Sequence, residues 1–102
     1  MAHKYRAKPI VIDNVRFASQ REGNRYRELM LLFRAGAIRN LEIQPEFEFE
    51  LKGKPIFRYI ADFAYFEGER RVVEDVKGVK TPVYRLKKKL IEAQFNIQIM
   101  ET

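Results

Sequence analysis

Apolar and polar residues alternate along this chain at two different periods, and each change of period marks an element. From Lys8 to Phe17 two short apolar runs flank Asp13 and Asn14, both of which tolerate the positive φ of a tight turn; a small N-terminal hairpin is predicted. Ser19 with Glu22 three residues on is a capping box. After it Tyr26, Leu29, Met30, Leu32 and Phe33 recur at helical spacing until Gly36 supplies a stop. Residues 38–51 alternate with period two around Pro45, as a strand interrupted at that proline does, and Gly53 closes the run. Residues 56–66 and 71–77 are rich in β-branched and aromatic side chains, with a hairpin turn at Glu67, Gly68 and Glu69, and are predicted to form the centre of a sheet. A second helix is expected to start over residues 79–82, placing Tyr84, Leu86, Leu90, Ile91 and Gln94 on one side and Arg85, Lys88 and Lys89 largely elsewhere. Residues 95–100 alternate as a last strand, which a helical crossover lets lie parallel to a neighbour.

The predicted order is therefore hairpin, helix, three strands, helix, strand. This is an α+β domain with a mixed central sheet flanked by helices. At 102 residues the chain has length for one core, with residues 1–18 as an arm and 19–102 as the body. No repeat, low-complexity tract or linker interrupts it.

Charge narrows the partners. Twenty Lys and Arg against 14 Asp and Glu leave +6, with a pI near 9.7, an excess that draws polyanions through counterion release. Nucleic acid is the expected partner. No apolar run approaches the ~18 residues a membrane span requires, and no secretory pattern follows the basic start, so a cytoplasmic protein is expected. The absence of cysteine excludes disulfides and thiolate zinc sites, and a single histidine near a terminus, His3, argues against a histidine-built metal site or a histidine base. Any metal must be held by oxygen, which selects hard cations such as magnesium, manganese or calcium.

Those constraints give meaning to three residues. Asp75 and Lys77 project to one side of their strand, while Glu74 and Val76 project to the other. Both Asp75 and Asp62 sit within apolar runs where acids are rare. If the Gly68 turn brings Asp62 beside Asp75 and Lys77, two carboxylates and an ammonium meet, a costly grouping unless a cation or phosphate is expected there. Phosphodiester hydrolysis needs such a set: carboxylates for a cation and a positive group near the developing charge. Tyr59, Tyr65 and Phe57, on the same strands, are assigned to packing.

The arrangement resembles the PD-(D/E)XK nuclease superfamily over residues 19–100. Ala61-Asp62 stands where that superfamily has Pro-Asp, and Asp75, Val76 and Lys77 stand at its acid-X-Lys triplet. The resemblance implies that Asp62 and Asp75 bind Mg²⁺ or Mn²⁺, that the Val76 carbonyl is a further candidate ligand, and that Lys77 positions or activates water. Glu22 on the first helix and Gln44-Pro45 after the next strand resemble transposase-type and Holliday-junction-resolving endonucleases. The strings Gln44-Pro45, 60–63 and 74–78 also resemble a family of small phage and prophage proteins. Glu22 is then either a metal ligand or simply the helix cap. Gln44 either orients substrate or satisfies backbone groups beside Pro45.

The basic residues gain an address beside this triplet. Lys80, Thr81, Arg85, Lys88 and Lys89, with Lys87, run from the Lys77 strand into the second helix and are candidates for phosphate contact. Lys4, Arg6, Lys8 and Arg16 are candidates for a second clamp. The primary expectation is a Mg²⁺- or Mn²⁺-dependent DNA endonuclease of phage or mobile-element origin. So small a body favours recognition of DNA shape over sequence, and junction resolution would require a homodimer, with a recombination or replication protein as a further partner. The alternatives are a non-catalytic nucleic-acid-binding module and an interaction protein of a phage machine.

Overall fold

A computed structural model describes residues 8–102. The fold is mixed α+β: among the described residues there are two helices and eight strands, and the chain divides between Ala37 and Ile38 into two compact units. His3, Lys4 and Arg6 lie outside the described residues.

In the first unit, β1 (Ile10–Ile12) and β2 (Val15–Phe17) form the predicted antiparallel hairpin. Its turn residues Asp13 and Asn14 both have positive φ, 53° and 65°, the two-residue geometry that matches strand twist. α1 (Gln20–Arg34) begins at Ser19, whose Oγ accepts a 3.2 Å bond from the Glu22 amide. It ends as expected at Gly36, at φ 79°, where the Gly36 and Ala37 amides cap the Phe33 and Leu32 carbonyls. Tyr26 and Leu29 are buried, but Leu31, Leu32 and Phe33 stay substantially exposed.

The second unit is built on a four-stranded sheet of order β3-β6-β7-β8, from β3 (Arg39–Ile43), β6 (Phe63–Glu67), β7 (Arg70–Asp75) and β8 (Ile99–Glu101). The first three are antiparallel to one another. β8 returns after α2 (Pro82–Phe95) to run parallel to β7, pairing Val73 with Ile99 and Asp75 with Glu101. The predicted crossover is thus present.

The run 38–51 is interrupted beside Pro45 as expected, whereas 56–66 needs correction, because it is not a single strand. Gln44 adopts φ 54°, and the chain then enters β4 (Glu46–Leu51); β5 (Lys54–Ile60) likewise ends before Ala61 and Asp62. The two breaks face each other, with the Gln44 amide bonded to the Asp62 carbonyl (2.9 Å) and the Ala61 amide to the Pro45 carbonyl (3.0 Å). A long hairpin is thereby creased at one level, and its outer half, the β4-β5 ribbon, leaves the sheet to cover α2. Phe47 and Tyr59 of the ribbon share one apolar cluster with Ala61, Ala64, Val73, Ile91 and Ile99. Two bonds tie the ribbon to the helix: the Gln94 amide donates to the Glu48 carbonyl (2.8 Å), and the Glu50 amide donates to Gln94 Oε1 (2.9 Å).

The phase of α2 also differs from its expected one. Leu86 is 58 % exposed, whereas Lys87 and Lys88 lie on the half-buried side with Tyr84, Leu90 and Ile91. Their aliphatic stems cover apolar surface while the ammonium heads find partners at its edge. The Lys87 ammonium sits 5.4 Å above the centre of the Phe57 ring. No helix of the described residues is long and apolar enough to cross a membrane.

Candidate active site

Gln44, Asp62 and Asp75 lie at neighbouring strand ends on one side of the sheet, and backbone bonds set their order. Asp62 is bracketed: its carbonyl accepts from the Gln44 amide and its amide donates to the Glu74 carbonyl at 3.0 Å. The crease explains why its side chain turns inward here. No longer inside a ladder, Asp62 reaches across to β7, where its Oδ2 accepts a 2.6 Å bond from the Val76 amide. That amide lies between Asp75 and Lys77 in the chain, so the bond delivers the Asp62 carboxylate to the acid-X-Lys triplet. Bonds of this kind to an ionised acceptor are short and among the stronger in proteins.

Asp75 is buried on the α2 side of β7, on the same face as Val73. Its Oδ2 accepts from the Tyr59 hydroxyl, while Oδ1 faces Lys77 Nζ at 3.8 Å. The Lys77 side chain is 32 % exposed and its ammonium lies 4.7 Å over the Tyr84 ring, an attraction to the negative ring face. Glu74 points to the opposite face, where the Tyr65 hydroxyl bonds it, as strand alternation requires. Burial, then the bond to Asp75, pushes the Tyr59 hydroxyl above the ordinary tyrosine range. Tyr59 is therefore a neutral donor to a buried carboxylate at any ordinary pH.

A second polar group borders the first. Glu101 is level with Asp75 on the adjacent strand. Its Oε2 accepts from the Tyr84 hydroxyl at 2.8 Å and lies 3.5 Å from Lys88 Nζ, and its Oε1 lies 3.2 Å from Lys80 Nζ. The Tyr84 bond chiefly, then the two lysines, holds the Glu101 carboxyl below its usual range; burial first, then Glu101, raises the Tyr84 hydroxyl. Lys80, Arg85, Lys88, Lys89, Glu92 and Glu101 line a cavity of about 390 Å³ at this edge.

Other predicted residues fall as follows. Glu22 belongs to the first unit, where Ser19 Oγ, which caps the helix, also donates to the Glu22 carboxylate at 3.3 Å. Gln44 is exposed at the crease. Thr81 caps α2, its Oγ1 accepting from the Tyr84 amide at 3.1 Å. Lys8 and Arg16 are exposed on the first unit. Tyr59, Tyr84 and Glu101 were not foreseen as site residues. Tyr59 and Tyr84 read as core positions, and the place of Glu101 follows only from the β7-β8 register, for which the sequence carries no local signal.

For a divalent cation, the candidate donors at the triplet are the Asp62 and Asp75 carboxylates, with the Val76 carbonyl added only by the superfamily resemblance. An all-oxygen set of this kind fits magnesium or manganese. Among the described residues no three carboxylate or imidazole groups gather closely enough to hold a metal alone. Magnesium ordinarily completes its shell with water and substrate phosphate, so two carboxylates are sufficient protein ligands.

One protein family matches over residues 2–101, all but the two end positions. The chain belongs to that family, Protein of unknown function (DUF1064). No curated protein and no solved structure matches the chain. The family's description names no activity, so the chemistry of the site is argued from its residues.

Proposed function

We propose that the chain is a metal-dependent endonuclease that hydrolyses DNA phosphodiesters and selects its substrate by shape. The observation that carries this reading is the 2.6 Å bond from the Val76 amide to Asp62, which draws an acid from a crease between strands to the triplet Asp75, Val76 and Lys77. Acids so placed are costly to keep in a sheet interior for stability alone. Their grouping beside a lysine favours a site over a scaffold.

In this reading Asp62 and Asp75, with the Val76 carbonyl, hold a magnesium or manganese ion. The ion supplies charge neutralisation at the phosphate and an acidified water. Tyr59 fixes the rotamer of Asp75, and Lys77, held over the Tyr84 ring, presents its ammonium to the charge that develops on the phosphate. The exposed cations of α2 bind flanking phosphates without reading bases. Action on branched DNA adds the expectation of a homodimer with two such sites.

The test compares wild type with Asp75→Ala on labelled four-way junction, flap and linear duplex DNA, with magnesium or manganese against chelator. Metal-dependent products are expected, lowered on the order of a hundredfold or more in the variant. Salt-sensitive binding without products from any substrate would point instead to a nucleic-acid-binding module.

A further inference from the structure

Glu101 meets several cations at the α2 edge, and its surroundings are those of a bound anion. Three donors converge on a single carboxylate: the Tyr84 hydroxyl at 2.8 Å and the ammonium groups of Lys80 and Lys88 at 3.2 and 3.5 Å. The pair is not deeply buried, since the Glu101 side chain is 25 % exposed. Ion pairs at that exposure contribute little to stability, so the grouping is poorly explained as a brace for β8. The adjoining cavity adds Arg85 and Lys89, giving four cations against Glu92 and Glu101. It therefore keeps an excess of positive charge even with Glu101 in place. Its position is also informative, because Glu101 is one strand over from Asp75 and in register with it, about 5 Å away by ordinary strand spacing. A nucleic-acid strand seated at the triplet must run past this cavity or past the opposite edge.

We propose that this cavity is a phosphate subsite for the DNA backbone, and that Glu101 occupies it as an internal substitute which an incoming phosphodiester displaces. The proposal rests on the nuclease reading and adds to it a self-competing residue. Free of DNA, Glu101 neutralises Lys80 and Lys88 and keeps their side chains ordered. A backbone phosphodiester carries the same single negative charge on two oxygens, can accept from the same donors, and brings with it the counterion release of a polyanion. Glu101 then swings toward solvent. Tyr84 changes acceptor, and because its ring carries the Lys77 ammonium at 4.7 Å, occupancy of the subsite is felt at the triplet.

The experiment measures binding of a labelled duplex by anisotropy, in chelator so that no cleavage occurs, over a salt series. Glu101→Gln keeps the size and one hydrogen-bonding oxygen but removes the charge. It is expected to bind roughly tenfold more tightly than wild type at low salt, the scale of one charge-assisted contact. Lys80→Ala with Lys88→Ala is expected to weaken binding and flatten log K against log salt by about two. Equal affinity and slope for wild type and Glu101→Gln would overturn the subsite while leaving DNA binding intact; absence of binding by every variant would remove the nuclease reading beneath it. Should Glu101→Gln fold poorly in a thermal melt, the wild type serves alone. NMR of its Glu101 carboxyl carbon is expected to move to a solvent-exposed shift when duplex is added, and a carbon unmoved in the bound state would overturn the proposal.

Discussion

The two tyrosines at the site act as hydroxyl donors, and their energetics are set by the carboxylates they touch. Tyr59 is buried and bonded to Asp75, which is itself 1 % exposed. Removing the hydroxyl leaves a buried acceptor with one donor fewer, which for a charged group costs about 1.5–3 kcal/mol. Tyr59→Phe is expected to lose stability on that scale in urea unfolding with an unchanged m-value. On the proposed nuclease reading it should also lower cleavage, because Asp75 loses the contact that holds its rotamer; full activity in the Phe variant would show that packing alone positions Asp75. The pH dependence has a definite sign. The Tyr59, Tyr84 and Tyr26 hydroxyls all titrate above the ordinary tyrosine value in the folded chain, Tyr26 chiefly through its bond to Asp13. A pKa raised by folding contributes stability that is complete below the unfolded value, about 10, and is lost as the pH rises beyond it. Wild type should therefore lose stability steeply above about pH 10, and Tyr59→Phe less steeply. The three residues of the triplet and Asp62 were legible in the sequence because acids interrupt apolar runs there. Tyr59, Tyr84 and Glu101 were not, because a tyrosine in a strand or an amphipathic helix looks the same whether its hydroxyl meets water or a carboxylate.

At the level of elements, the sequence expresses turns and caps more faithfully than strand breaks. Asp13-Asn14, the Ser19 cap and the Gly36 stop all lie where local chemistry places them. Pro45 marks the first half of the crease in the sequence, but the facing half at Ala61-Asp62 carries no such signal because alternation persists through it: the side-chain period survives while the partner strand changes. The left-handed backbone of Gln44, unusual for a residue other than Gly, Asn or Asp, sharpens the break beside Pro45, and φ is not written in the pattern. The phase of α2 was misread for a related reason, since Lys87 and Lys88 count as polar while their stems pack as apolar. One close approach in the first unit offers a clean test. A Cβ at Gly23 would come within 2.8 Å of Ile10 Cγ2 and 3.1 Å of Ile12 Cδ1, so glycine is what lets α1 lie against the hairpin. Alanine there gains up to about 1 kcal/mol in helix propensity but forces a β-branched neighbour to move, at about 1–3 kcal/mol. Gly23→Ala is expected to be neutral to destabilising by up to about 2 kcal/mol and Gly23→Leu clearly worse, by thermal or urea melts. A stabilising alanine would mean that Ile10 yields without cost.

Across the whole molecule, the net charge conceals how the second unit is polarised. The residues from Ile38 onward carry twelve Lys and Arg against eleven Asp and Glu, a net of only +1, out of +6 for the chain. Yet the sites are segregated: Lys80, Arg85, Lys87, Lys88 and Lys89 fall within ten residues that contain no acid, while Glu42, Glu46, Glu48 and Glu50 fall within nine that contain no base. The β4-β5 ribbon shows Glu46, Glu48 and Glu50 to solvent on its outer face, whereas Arg85 and Lys89 are exposed on α2. The ribbon's three acids are balanced by the exposed Lys52, Lys54 and Arg58, with Arg58 Nη1 3.2 Å from Glu46, so the unbalanced positive charge sits on α2, where a polyanion would be drawn, an asymmetry that orients encounter more than it raises affinity. If α2 is the electrostatic footprint, Arg85→Ala with Lys89→Ala should weaken binding to duplexes of unrelated sequence by the same factor and reduce the salt slope by about two, because phosphate contacts carry no base information. Glu46→Gln with Glu48→Gln, a change of the same magnitude in charge, should leave the slope alone and alter affinity only at low salt, where distant charges are unscreened. Were the two pairs to shift the slope equally and oppositely, total charge would govern binding and α2 would lose its special place. Unequal shifts, with α2 dominant, would fix the direction from which DNA reaches Asp62 and Asp75.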